Sequence, residues 1–241
     1  MESPSNEQLS EYIKDYSKRF KSFIKKLTTE ELIVLMKYKG SLFLNINAML
    51  YGEPIKIHKS KMPVLFKQKY IKSKHQEVKN YIQILDGIFD KIPKTIQSKM
   101  PPVLYRGSNA YSAKLKVGTT FVTSGFTSTS LVPSVASNFI GCKGCCIFKF
   151  LFNTQIPYIY VSWNTTDLDE SIAETELEIL LPRNLEFKIV NVEKVSLDSN
   201  HIFCTQQEIQ KSKKKQITLY TCEFVEQLDD RSIPDVKETI E

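Results

Sequence analysis

Glu176 and Glu178 stand one residue apart in "AETELEILLPR", residues 173–183, and Ile179, Leu180 and Leu181 follow at once. An ionised carboxylate carried into an apolar interior is costly unless it is paired. As a strand, the stretch puts Glu174, Glu176, Glu178 and Leu180 on one face, and Thr175, Leu177, Ile179 and Leu181 on the other. The two carboxylates of the pair then point the same way, roughly 7 Å apart. Asp167, Asp169 and Glu170 add negative charge upstream, and no Lys or Arg lies between 164 and 182. Carboxylates gathered without cations resist ionising together and attract a cationic guest. The same residues also read as a solvated acidic loop before an ordinary strand.

Two further stretches carry groups of use to a polar ligand. In "GFTSTS", Ser128 and Ser130 share a strand face and Thr129 takes the other. Short hydroxyls donate and accept, so they can pin a carboxylate or a sugar, although β-propensity and turn chemistry also explain them. "LYRG" sets Arg106 after two apolar strand residues and before Gly107, which lets backbone approach closely. A guanidinium fork suits phosphate, and a surface arginine at a strand end is the plainer alternative.

The elements that would position these residues fall into two blocks. Leu9, Tyr12, Ile13, Tyr16, Phe20, Phe23, Ile24 and Leu27 recur at steps of three and four, one stripe of an amphipathic helix. Thr28 and Glu31 form a capping box for a second helix, with Leu32, Leu35 and Met36 expected inward. "YKGSLFLNINAMLYG" predicts a turn and a third helix ending at Gly52, and "QEVKNYIQILDGIFDKIP" a helix stopped by Pro93. After "MPP" the pattern changes to "VLYRG", "TTFVTSGFTSTS", "CCIFKFLF", "IPYIYVSW", "ELEILL", "LEFKIVNVEKVSL" and "QITLYTCEFVEQL", short runs rich in β-branched and aromatic residues. Helices followed by strands predict an α+β fold. "KSKKK" at 211–215 reads as a solvated hairpin loop, and residues 227–241 as a polar, frayed tail.

Composition narrows the classes. The 241 residues carry a net charge of +6, unevenly placed: residues 1–100 hold 19 Lys/Arg against 10 Asp/Glu, and residues 151–200 hold three against nine. The basic first half carries no basic-aromatic motif, so a solvated surface is expected rather than nucleic acid or an anionic membrane. No apolar run is long enough to span a bilayer, and the first residues have no apolar signal region. Five cysteines, with none of the three histidines near "CKGCC", predict reduced thiols entering a strand rather than a metal site. Too few suitably placed histidines remain for a Ser-His or Cys-His hydrolase.

Taken in order, "LYRG", "GFTSTSL" and "ETELEILLP" resemble the R-S-E class of ADP-ribosyltransferases, whose pattern runs aromatic-Arg-Gly, then F-x-S-T-S, then E-x-E before an apolar strand and proline. "YKGSLFLNINAML" is similar to that family's tyrosine and I-N-x-x-L segment, and "QILDGIFDKIP" to the helix leading into the Arg strand. The resemblance covers about residues 30–226. It departs from the family where Ile172 and Ala173 stand in place of an aromatic residue before the pair, with Trp163 further upstream.

The resemblance implies a helical N-terminal part packed on a two-sheet, mixed or antiparallel β core, with NAD in the cleft between the sheets. The expected organisation is an N-terminal extension over 1–27, a catalytic domain over 28–226 (helical to 99, β from 100) and a tail over 227–241. It implies NAD as substrate, no metal, a protein acceptor modified at arginine, no nucleic-acid or membrane partner, a monomer, and an intracellular site of action or delivery to a host cytosol. Glu178 would stabilise the electron-poor ribose, Glu176 would take the acceptor's proton, and Arg106 would clamp the diphosphate. Ser128 would hold Glu178 or the ribose, beside Thr129, while Ser130 supports the strand. Gly107 would meet the nicotinamide amide. Tyr38 and Asn47 would serve the adenosine and phosphate side, and Phe139 would stack on nicotinamide. Water as acceptor would make the chain an NAD glycohydrolase, and a protein that keeps the fold without turnover is the non-enzymatic alternative.

Overall fold

The computed structural model describes residues 6–55, 64–108, 115–137, 139–140, 146–161, 177–196 and 216–234. Helices occupy the first part: α1 (Asn6–Ile24), α2 (Thr29–Lys37), a wider π-type turn (Tyr38–Leu42), α3 (Phe43–Leu50), α4 (Val64–Asp90) and the short α5 (Lys94–Gln97). The strands are β1 (Val103–Ser108), β2 (Thr120–Thr123), β3 (Thr127–Ser130), β4 (Cys146–Leu151), β5 (Ile159–Tyr160), β6 (Glu178–Leu181), β7 (Leu185–Ser196) and β8 (Gln216–Gln227). One short helix, α6 (Pro133–Ser137), follows β3. This is the α+β order expected from the sequence.

The helical block forms for local reasons. Glu31 N–H donates to Thr28 Oγ1 and Thr28 N–H to Glu31 Oε2, which closes the capping box. Glu31 Oε1 also takes Lys91 Nζ at 2.5 Å. That bond turns Glu31 inward, so Val34 and Leu35, three and four residues on, are buried with it. Met36 lies a further 100° round the helix and is 48% exposed, against the inward position expected for it. Gly52, at φ +71°, ends α3 with a left-handed residue, where its N–H meets the Met49 carbonyl.

The helix α1 shares its core with the sheet. Phe20 lies 5.3 Å from Tyr158 and Tyr16 lies 5.8 Å from Tyr160, ring centre to ring centre. Tyr16, Phe20 and Phe23 belong to the same buried cluster as β5, β6 and β7.

The strands form one hydrogen-bonded sheet in the order β2-β7-β8-β4-β1-β3-β6-β5, antiparallel except for β4 beside β8. Its two sections meet at β1 and β3 through one registered pair, Tyr105 with Ser130. By contrast, β1 pairs with β4 over six residues. The two parts of the β core are therefore a five-stranded section and a three-stranded section, joined at a narrow seam.

Behind the sheet, Arg183 is buried and bonds Asp86 of α4 through Nε and Nη2, at 2.9–3.2 Å. Its Nη1 reaches the Ser232 carbonyl at 3.0 Å and its Nη2 the Arg231 carbonyl at 2.6 Å. Arg231 in turn pairs with Asp90. The tail expected to fray from residue 227 is thus docked through Ser232, because a buried guanidinium needs more acceptors than one carboxylate supplies.

Candidate active site

The cavity opens at the seam between β1 and β3. Arg106 points to it from β1, half-buried, and its Nη1 donates to the Ser128 carbonyl at 2.7 Å. A side chain thus ties the two strands where the ladder supplies one registered pair. Gly107 follows. A Cβ built there would sit 2.0 Å from the Ala136 carbonyl oxygen of α6, so only glycine lets this helix lie against β1.

On β3, Ser128, Thr129 and Ser130 all border the cavity, and Thr129 and Ser130 are both buried. Thr129 is buried and its Oγ1 donates to the Ile179 carbonyl at 2.7 Å, locking β3 to β6. Ser128 faces the cavity half-buried, and Ser130 Oγ accepts from Val132 N–H at 3.1 Å, which turns the chain into α6. Glu178 is the first residue of β6 and pairs with Ser130. The strand does not extend before it, because Leu177 has φ +44°. Glu174 and Glu176, expected on one face with Glu178, lie outside the described residues. A non-glycine residue in the left-handed region costs roughly 1 kcal/mol or more and persists only where neighbours impose it. Here Leu131 N–H holds the Leu177 carbonyl and Val161 N–H holds that of Glu178.

Tyr38 and Asn47 form the floor. Tyr38 is buried, and its O–H donates to the Phe126 carbonyl at 3.1 Å. Asn47 Nδ2 donates to Tyr38 Oη and to the same carbonyl. Burial pushes the Tyr38 phenol well above its ordinary value; Asn47 and the Arg106 charge pull it down, and Glu178 pushes it up. Asn47 also packs on Gly125, where a Cβ would lie 2.6 Å from Asn47 Oδ1. Phe139 stands beyond α6, 58% exposed, at the cavity's lip.

Tyr38, Asn47, Arg106, Gly107, Ser128, Thr129, Ser130, Phe139 and Glu178 thus line one cavity of about 220 Å³. Glu176, Asp167, Asp169, Glu170, Glu174 and Trp163 lie outside the described residues. Sequence reasoning passed over Lys39, Phe43 and Tyr105, which also line the cavity. Phe43 sits five residues after Tyr38, its ring 6.4 Å from that of Tyr38. Its spacing from Tyr38 and Asn47 was the available signal. Lys39 had none beyond adjacency to Tyr38.

Chemically, the described walls offer two cations (Arg106 and Lys39), one carboxylate, a run of hydroxyls and aromatic faces. That set suits an anionic, sugar-bearing ligand with a ring to stack. Among the described residues, no three His, Cys, Asp or Glu side chains stand together as a metal site. None of the described helices is long and apolar enough to cross a membrane. Cys146 and Cys222 are buried thiols, and burial pushes Cys222 up to about 12.

Comparison with known proteins agrees with this architecture. The ADP-ribosyltransferase exoenzyme family model matches residues 14–223. No curated protein matches. Among solved structures, the ADP-ribosyltransferase Vis of Vibrio splendidus, in complex with agmatine, is 20% identical with a TM-score of 0.54, covering 94% of this chain and 88% of that one. The toxin Plx2a of Paenibacillus larvae is 16% identical with a TM-score of 0.58, covering 90% and 96%. The ADP-ribosylating toxin BECa of C. perfringens, solved with NADH, is 16% identical with a TM-score of 0.58; the match covers 90% of this chain and 48% of that one. With nearly the whole chain matched by the family model and the same fold in three toxins, this protein belongs to the ADP-ribosyltransferase exoenzyme family.

Proposed function

We propose that this chain cleaves NAD at the nicotinamide–ribose bond and transfers ADP-ribose to an arginine side chain of a protein. One observation carries this reading: Arg106, Ser128 and Glu178, from three different strands, line one cavity with Tyr38 and Asn47. The NADH bound by BECa and the agmatine bound by Vis, a guanidinium compound, support the dinucleotide and the acceptor class.

In this reading Arg106 meets the diphosphate, its fork held in place by the Ser128 carbonyl. Phe139 and the Gly107 backbone receive the nicotinamide end, and Tyr38 and Asn47 the opposite end. The C1′–N bond breaks heterolytically. Nicotinamide leaves with the bonding pair and becomes neutral, and positive charge grows on the ribose. Glu178, at the mouth of β6, opposes that charge more strongly in the transition state than in the ground state. A guanidinium nitrogen then bonds C1′ and loses a proton, which Glu176 takes. The acidic segment 167–176 attracts the cationic acceptor before that step.

The test is nicotinamide release and label transfer from NAD to agmatine. Wild-type protein releases nicotinamide, and Glu178→Ala lowers the rate by roughly 100-fold or more. A wild-type protein that releases none, or a Glu178→Ala variant that keeps the rate, removes the proposal.

A further inference from the structure

The strand β5 has two residues and forms an outer edge of the sheet. So short an edge is held by few ladder bonds and shifts readily unless something else fixes it. Its neighbour is β6, which begins with Glu178. Just past β5, Val161 N–H donates to the Glu178 carbonyl at 3.0 Å. The Val161 carbonyl accepts from Lys39 Nζ at 3.1 Å, a bond that spans 122 positions of the chain. A single residue therefore links Lys39 to the backbone of Glu178.

Lys39 itself is anchored. It follows Tyr38, which is buried and bonded to the Phe126 carbonyl. It precedes Gly40, where the backbone leaves helical geometry at φ −77° and ψ −109°. Glu178 is less well supported from its own side. Leu177 before it is left-handed, so no regular strand runs into the carboxylate's position. Two cross-strand neighbours hold the Glu178 backbone, Ser130 on one side and Val161 on the other.

We propose that Lys39 is a positioning residue for Glu178, acting through the Val161 peptide that its ammonium holds in place. The proposal rests on the reading of Glu178 as the carboxylate that faces the reacting ribose. Without the ammonium donor, the Val161 carbonyl turns to water and the end of β5 drifts. A displacement of about 1 Å at a reacting group can cost on the order of 100-fold in rate. The competing role for an exposed lysine in this cavity is direct contact with the dinucleotide's phosphates, which would strengthen binding and leave the turnover of bound NAD intact.

The experiment measures nicotinamide release against NAD concentration for wild type, Lys39→Met, Lys39→Arg and Lys39→Gln. Rates are scaled to the folded fraction from urea unfolding, and Lys39→Met and Glu178→Gln are then combined. Lys39→Met is expected to lower kcat roughly 10- to 100-fold, with KM for NAD changing less than about threefold. Lys39→Arg restores most of the rate, and Lys39→Gln, a shorter neutral donor, falls between. In the Glu178→Gln background the Met substitution adds little, because both act on one carboxylate. A raised KM with kcat kept, no recovery in Lys39→Arg, or fully additive losses in the double variant overturns the proposal, as does an unchanged Lys39→Met with active wild type. An inactive wild type overturns it together with the reading it rests on.

Discussion

Arg106 reaches from β1 to the Ser128 carbonyl on β3 at 2.7 Å, across the seam where the two strands share one registered pair. One guanidinium therefore helps close the sheet and faces the cavity. Arg106→Lys keeps the charge but loses the planar fork. We expect kcat/KM for NAD to fall by roughly 10- to 100-fold in Arg106→Lys, mostly through weaker binding, read by titration calorimetry and nicotinamide release. Arg106→Ala should in addition lose about 1–3 kcal/mol of stability, read by urea unfolding.

Gly107→Ala tests the close packing of α6. Its new methyl would meet the Ala136 carbonyl oxygen at 2.0 Å, and that obstacle is backbone, which has no rotamer to change. The helix must move off β1. A loss of about 1–3 kcal/mol is expected, together with weaker NAD binding, since Ala136 and Gly107 both line the cavity. Gly118→Ala, at φ +90° but with nothing within 4 Å, should leave NAD binding unchanged and cost only backbone strain.

Arg183→Ala tests the docked tail. The guanidinium side chain is 4% exposed and that of Asp86 14%, so removing one partner strands a buried charge. The expected loss is about 3–5 kcal/mol, and protease cleavage near residues 228–234 should become faster. Arg183→Met with Asp86→Leu should recover much of the stability, because the pair is then replaced by apolar volume.

Acid should weaken the helical block in a defined window. Burial alone would raise the Glu31 carboxyl, but the bonds from Lys91 and Thr28 outweigh it and hold the group below its ordinary value of 4.5. The Arg231 bond holds Asp90 below 3.8. A carboxylate depressed in the fold contributes stability above its unfolded pKa and loses it as pH falls through its folded one. Stability should thus be level with respect to these groups above about pH 5 and drop below about pH 4. Glu31 should dominate, being 8% exposed, whereas the Asp90–Arg231 pair lies half in solvent and contributes at most about 1 kcal/mol. Glu31→Gln should flatten the acid limb of a pH series of urea midpoints more than Asp90→Asn does.

Glu176→Gln should separate the two acceptors. In the proposed reaction it abolishes transfer to agmatine and leaves hydrolysis of NAD within about threefold of wild type, because water does not need the second carboxylate to become a nucleophile at an oxocarbenium-like centre. Equal loss of both products would show that Glu176 serves the cleavage step instead.

The sequence by itself determined what depends on near neighbours. The Thr28–Glu31 box starts α2, Gly52 ends α3, and each of the seven apolar runs after "MPP" holds at least one strand, because capping bonds, turn residues and side-chain alternation act within a few positions. The resemblance also singled out Arg106, Ser128, Glu178, Tyr38, Asn47 and Phe139, and the fold brings these six to one cavity. The three-dimensional fold alone decided the rest. Glu31's bond to Lys91 set the phase of α2 and left Met36 outside. Neighbours imposed the left-handed Leu177 at which β6 begins. Asp86 and the Ser232 carbonyl made Arg183 a buried anchor, and Val161 linked Lys39 to the backbone of Glu178. Each of these depends on groups far apart in sequence meeting in one low-dielectric place, and no local pattern encodes which partner a buried charge or carbonyl will find.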